Sequence, residues 1–99
     1  MSKTTIRVVA RVVALPETLE AVKSVLMGIM EPTRNEEGCI SYELLHNEED
    51  LTDFTFVEEW EDRTVLEAHL ASAHIKAAAS QLKGLVAAEP DIRIYRLLA

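Results

Sequence analysis

The sequence predicts an α+β fold: a four-stranded antiparallel sheet with both helical segments on one face. Three observations lead there. Strand-like and helix-like runs follow one another in the order β-α-β-β-α-β. The second and third strand runs lie close enough to pair as a hairpin. The first strand run is apolar on both sides, as a strand covered on both faces must be.

Each element has its own signal. In Thr4 to Leu15, Ile6, Val8, Ala10 and Val12 lie on one side, and Val9, Val13 and Leu15 on the other with Arg7 and Arg11. Helices from 99 residues can cover only one side of a sheet, so the other side is expected to meet a second copy of the chain. Pro16 suits the first position of a helix, where its missing N–H costs nothing. Leu19, Val22, Leu26 and Ile29 then recur at helical spacing. Pro32 and Gly38 bracket the helix exit, and Glu36-Glu37-Gly38 marks a turn.

Cys39 to Asn47 is the second strand, with Ile40, Tyr42, Leu44 and His46 alternating against Ser41, Glu43 and Leu45. After an acidic turn, Phe54 to Trp60 is the third, with Phe54, Phe56, Glu58 and Trp60 on one face. Asp62 to Ala88 is expected to be helical and broken near Ser72. Asp62 caps a short helix carrying Val65, Leu66, His69 and Leu70. Ser72 caps a second, carrying Ile75, Ala78, Ala79, Leu82 and Val86. Pro90 ends the helical stretch, and Ile92 to Leu98 is the last strand. No linker, repeat or low-complexity tract interrupts the chain, so residues 1–99 read as one domain with the ferredoxin-like pattern.

Composition narrows the function classes. A hydrophobic content of 48% is that of a globular chain and excludes disorder. A net charge of -7 lacks the basic footprint that nucleic acid requires and disfavours anionic membrane surfaces. No signal peptide or spanning apolar run is legible, so the expected location is cytoplasmic. The single cysteine, Cys39, excludes an internal disulfide and reads as a small buried strand residue rather than a nucleophile. Phosphate loops, nucleotide fingerprints and C-x-x-C are all missing.

The chemistry concentrates in Val57 to Lys76, which holds the only tryptophan and two of the three histidines. His69 and His74 are five residues apart, on different faces of a continuous helix, whereas the zinc pattern needs i, i+4. They converge only if the helix breaks between them, and no third ligand is obvious beyond Glu58 or His46, so no metal is expected. As an acid–base pair they are better placed. His74 falls in the first turn after Ser72, where the helix field opposes added positive charge; His69, at the end of the preceding helix, feels the opposite field. Two histidines beside an apolar helix also have a purely structural reading. Trp60 is either a core aromatic or a flat wall for an aromatic ligand. Glu58, among aromatics, calls for a partner such as Arg7, Arg11 or Arg96. His46, at a strand end, is a surface residue or part of a pocket mouth. The expected pocket lies between sheet and helices, lined by Trp60, His69, His74 and Tyr42.

The segments E-E-G-C-I-S-Y (36–42), V-E-E-W-E-D (57–62) and L-E-A-H-L-A-S-A-H-I-K-A (66–77), followed by K-G-L-V and R-I-Y-R-L, resemble the antibiotic biosynthesis monooxygenase family, and within it the bacterial quinol monooxygenases. The combination of E-x-G-C-x-x-Y, E-x-W and H-x-x-S-x-H in that order carries the resemblance over nearly the whole chain. It implies a ferredoxin-like dimeric α+β barrel, joined as a homodimer through the sheet faces. It also implies oxygenation of a quinol-like or phenolic substrate by O2 without metal, flavin or haem. Such chemistry needs a bound aromatic, a base and a dry site. His69, Ser72 and His74 match H-x-x-S-x-H, and Trp60 matches the strand tryptophan. On electrostatics His74 is the expected base, with His69 binding the substrate oxygen. Trp60, Tyr42, Ser72, His46 and Glu58 are the expected substrate-binding residues.

Related activities on the same fold define the alternatives. Haem-degrading members use an Asn on the first strand and a Trp and His on the last helical segment; this chain has Ala10, His69 and Ala79 there, which disfavours haem. An isomerase of a phosphorylated autoinducer shares the histidine motif but wants a basic phosphate site, for which Arg93 and Arg96 are the candidates. A non-catalytic small-molecule-binding dimer is the third reading.

Overall fold

The computed structural model describes residues 4–99. Four strands, β1 (Ile6–Val13), β2 (Cys39–His46), β3 (Asp53–Trp60) and β4 (Asp91–Tyr95), form one sheet in the order β2-β3-β1-β4. Every neighbouring pair is antiparallel. The helices are α1 (Leu19–Gly28), α2 (Met30–Arg34), α3 (Arg63–Leu70) and α4 (Ala73–Leu82). The fold is the expected α+β ferredoxin-like one. Among the described residues no helix is long and apolar enough to cross a membrane.

Period-2 alternation decides what the sheet buries. Val8, Ala10 and Val12 of β1 lie opposite Glu58, Phe56 and Phe54 of β3 in register, and all six are buried. Val22 and Leu26 of α1, Leu66 of α3, and Ala78 and Leu82 of α4 close the core from above. Among the described residues the opposite face has no cover: Val9, Leu45 and Tyr95 are exposed there. Two ion pairs lie within the face, Arg7 with Glu59 at 3.6 Å and Arg11 with Asp53 at 3.1 Å.

Several boundaries differ from expectation for local reasons. Pro16–Thr18 is a 3₁₀ turn, and the α-helix proper starts at Leu19. Pro32 sits inside α2 but within its first turn, where no N–H is missed. A bulge between Cys39 and Ser41 turns Ile40 out to solvent instead of onto the Tyr42 face. The helix expected to reach Ala88 stops at Leu82, because Lys83 is extended and Gly84 takes φ +80°. Val86 therefore leaves the helix and bridges Ala14. The last strand ends at Tyr95 rather than Leu98.

Candidate active site

The break in the helical stretch builds the site. Asp62 caps α3 by accepting from the Val65 N–H at 3.1 Å. α3 ends at Leu70, and Ser72 is extended at φ -69°, ψ 155° before α4 begins. Ser72 occupies the N-cap position, yet its side chain does not cap α4. Its hydroxyl turns back and donates to the His69 carbonyl at 2.6 Å, and its N–H donates to the same carbonyl at 3.0 Å. This stops one helix and redirects the next, so two histidines that a continuous helix would separate face the same group.

That group is Glu36, in the turn before β2. One of its oxygens, Oε2, accepts from His69 Nδ1 at 2.7 Å and from His74 Nε2 at 2.8 Å. Gly38 makes the turn possible: its φ is +87°, and a Cβ there would meet Val65 at 2.7 Å. The arrangement assigns the tautomers, with each bonded nitrogen carrying its proton toward the carboxylate. His69 is buried, and burial holds its pKa below the usual imidazole value against the opposing pull of Glu36. With Nδ1 protonated, Nε2 is the basic nitrogen of the ring.

A cavity of about 150 Å³ lies between the sheet and the helices. Val8, Ala10, Phe56, Glu58 and Tyr42 line it from the sheet, and His69, Ile75 and Ala78 from the helices. The exposed Pro90 and Ile92 stand at its rim. Among the described residues its wall is apolar apart from Tyr42, Glu58 and His69, and contains no lysine or arginine. Burial and then the nearby Glu58 carboxylate push the Tyr42 phenol well above its usual range. Glu58 is pushed up to about 7, first by burial, with the Trp60 hydrogen bond pulling the other way and the Glu36 charge adding to the rise. Burial also pushes the Cys39 thiol up, which keeps it protonated.

The expected site residues thus divide. Tyr42, Glu58 and His69 share the cavity. Trp60, fully buried, stands behind the wall: its ring lies 4.5 Å from His69 and 6.3 Å from Tyr42, centre to centre. His74 and Ser72 do not reach the cavity wall; His74 borders a separate outer groove between α1 and α4. His46 is far along the sheet edge, stacked on Phe54 at 4.4 Å and donating to the Leu51 carbonyl at 2.7 Å. The arginine partner expected for Glu58 is replaced by Trp60, whose indole N–H donates to Oε1 at 2.8 Å. Arg7 and Arg11 cannot serve, because strand alternation puts them on the opposite face. The candidate site residue that sequence reasoning missed is Glu36. It was legible as part of a turn and as the first residue of the E-x-G-C-x-x-Y motif, but not as a site residue, since its histidine partners are 33 and 38 residues away.

Glu36, His69 and His74 also place three potential metal-ligating atoms within 4.8 Å of one another. The break between the histidines supplies the convergence that a metal site would need, with Glu36 rather than Glu58 or His46 as third donor. The 2.7 and 2.8 Å separations, both to one oxygen, are those of hydrogen bonds. Ligands around a tetrahedral zinc stand about 3.3 Å apart, and both imidazoles would first have to lose the bonded proton.

Residues 5–81 match the family model described as antibiotic biosynthesis monooxygenase. A Mycobacterium tuberculosis protein named as a candidate monooxygenase is 32% identical over 70% of this chain and 67% of its own length. An uncharacterised Synechocystis protein is 29% identical over 83% of this chain, which spans just over half, 56%, of that relative. The crystal structure of a conserved Methanosarcina mazei protein superposes with a TM-score of 0.88 at 34% identity, covering 95% of this chain and 93% of the other.

Proposed function

From a chain that belongs to the antibiotic biosynthesis monooxygenase family, we propose a cofactor-independent monooxygenase that oxygenates a quinol-like or phenolic ring with O2. The observation that carries this reading is His69, held by Glu36, on the wall of a cavity that is otherwise apolar apart from Tyr42 and Glu58. Glu36 holds Nδ1–H and fixes the ring, which leaves Nε2 as the base for a substrate hydroxyl. The general base in this reading is therefore His69. His74 spends its Nε2 proton on the same Glu36 oxygen and acts as a second clamp on that carboxylate.

Removal of the hydroxyl proton makes the ring electron-rich enough to reduce O2 directly, and the dry wall protects the anion and the radical that follow. A cavity of about 150 Å³ is the size that accepts one benzene-like ring, so a single substituted ring fits and a haem macrocycle does not. Among the described residues the wall has no cation for a phosphate, and Arg93 pairs with Asp91 beside Val9 on the opposite sheet face. These features favour the oxygenase over the phosphate-binding isomerase and over haem degradation. The chain would work as a homodimer through that opposite face.

Methylated hydroquinones in air-saturated buffer test the reading. Oxygen uptake should yield hydroxyquinone carrying one labelled atom from labelled O2. Tight binding of such rings without any oxygen uptake would support the non-catalytic dimer instead.

A further inference from the structure

Glu58 is buried, 4% exposed, on the cavity wall, and lies opposite Val8 of β1 and Tyr42 of β2 in the sheet register. Among the described residues only one of its oxygens, Oε1, is engaged, by the Trp60 indole. Among the described residues it has no ion pair. The groups around it offer no compensating charge. β1 presents Val8 and Ala10, and β2 presents the phenol of Tyr42 and the thiol of Cys39. The turn before β2 presents the anionic side chain Glu36, and α3 presents His69, which is already committed to Glu36. An ionised carboxylate in this position would be costly, whereas a protonated one needs no counter-ion and has an O–H to donate.

We propose that Glu58 is a neutral carboxylic acid facing the cavity and is the proton donor that completes the reduction of O2, a role resting on the oxygenase reading above. The protons and electrons balance without a further reductant. His69 takes the hydroxyl proton of the hydroquinone. The anion passes one electron to O2, and the semiquinone and superoxide combine to form a ring C–O bond. Glu58 protonates the outer peroxide oxygen. The O–O bond then breaks as the ring carbon loses its proton to the Glu58 carboxylate and becomes a carbonyl. The departing hydroxide takes the proton held by His69 and leaves as water. Hydroquinone and O2 thus become hydroxyquinone and water, four electrons passing from the ring to oxygen. Glu58 ends protonated again. The upward shift of its pKa to about 7 agrees with the geometry.

Glu58→Gln tests this, since the amide keeps the shape and still accepts from Trp60 but cannot transfer a proton. Infrared spectra of the resting wild type below neutral pH should show the carbonyl stretch of a protonated carboxyl that is lost in E58Q. E58Q should lower hydroxyquinone formation about 100-fold, release hydrogen peroxide instead, and lack the alkaline decline of the wild-type rate near neutrality. E58Q with the wild-type rate and the same alkaline decline would overturn the proton-donor role. Spectra without the band would overturn the neutral acid. A wild type that shows the band but oxygenates no hydroquinone would keep the acid while overturning the reaction and the transfer assigned within it.

Discussion

His69 and Glu58 share one cavity but answer pH in opposite senses. Burial lowers the His69 pKa in the folded state, so its contribution to stability is present above the ordinary imidazole value and is lost as pH falls. Glu58 is raised from 4.5 to about 7, so the folded chain holds a proton that the unfolded chain has released. That contribution is full below the ordinary carboxylate value and is lost as pH rises through about 7. The shift corresponds to roughly 3 kcal/mol. Denaturant unfolding of the wild type should therefore weaken by a sizeable part of that amount between about pH 5 and about pH 8. E58Q should remove this decline and leave the His69 limb at lower pH. For turnover, His69→Gln should cost about 10²–10⁴-fold in oxygen uptake, a loss that shrinks at high pH as the phenol ionises unaided. His74→Gln should cost less. Equal losses would mean that the shared carboxylate, not the cavity-facing ring, dominates. A chelator should leave activity unchanged; loss restored by a divalent metal would make Glu36, His69 and His74 a metal centre.

At the scale of elements, the site depends on a turn and a break. The turn before β2 carries Glu36 to the histidines because Gly38 adopts φ +87° and passes against Val65 of α3. Gly38→Ala meets both obstacles at once, a left-handed backbone and a Cβ 2.7 Å from Val65. It should destabilise the fold by more than about 1 kcal/mol, read from the denaturation midpoint. Quinol turnover should fall beyond that loss of folded protein, since Glu36 moves with the turn. A fully active, equally stable G38A would show that the turn does not hold Glu36 in place.

At the scale of the whole molecule, one sheet face carries the helices and the cavity, and the other carries Val9, Leu45 and Tyr95 exposed beside the paired Arg7–Glu59 and Arg11–Asp53. A sheet with apolar side chains on its uncovered face is suited to a second copy. Sedimentation should give a species of twice 11.1 kDa at micromolar concentration. Val9→Glu, with its charge near the centre of that face, should shift it toward monomer while the far-ultraviolet spectrum persists. A wild type that sediments as a monomer would remove the dimer from the reading.

The sequence by itself determined the element order, the buried face of β1 and β3, the Asp62 cap and the helix break near Ser72, because periodicity and capping act over a few residues. Its motifs also carried the family. It pointed to Tyr42, Glu58 and His69, now on one cavity wall, but also to His46, which the sheet holds at its far edge. What only the tertiary structure decided was how distant groups meet. The partner of Glu58 is Trp60, since alternation sends Arg7 and Arg11 through to the other face. The helix ends at Leu82 because Gly84 turns left-handed and Val86 finds a bridge with Ala14. Glu36 became a member of the site only when a turn 33 residues before His69 was folded against it. No local pattern encodes that separation, because loop closure is set by the packing of the whole sheet and its helices rather than by any neighbour in the chain.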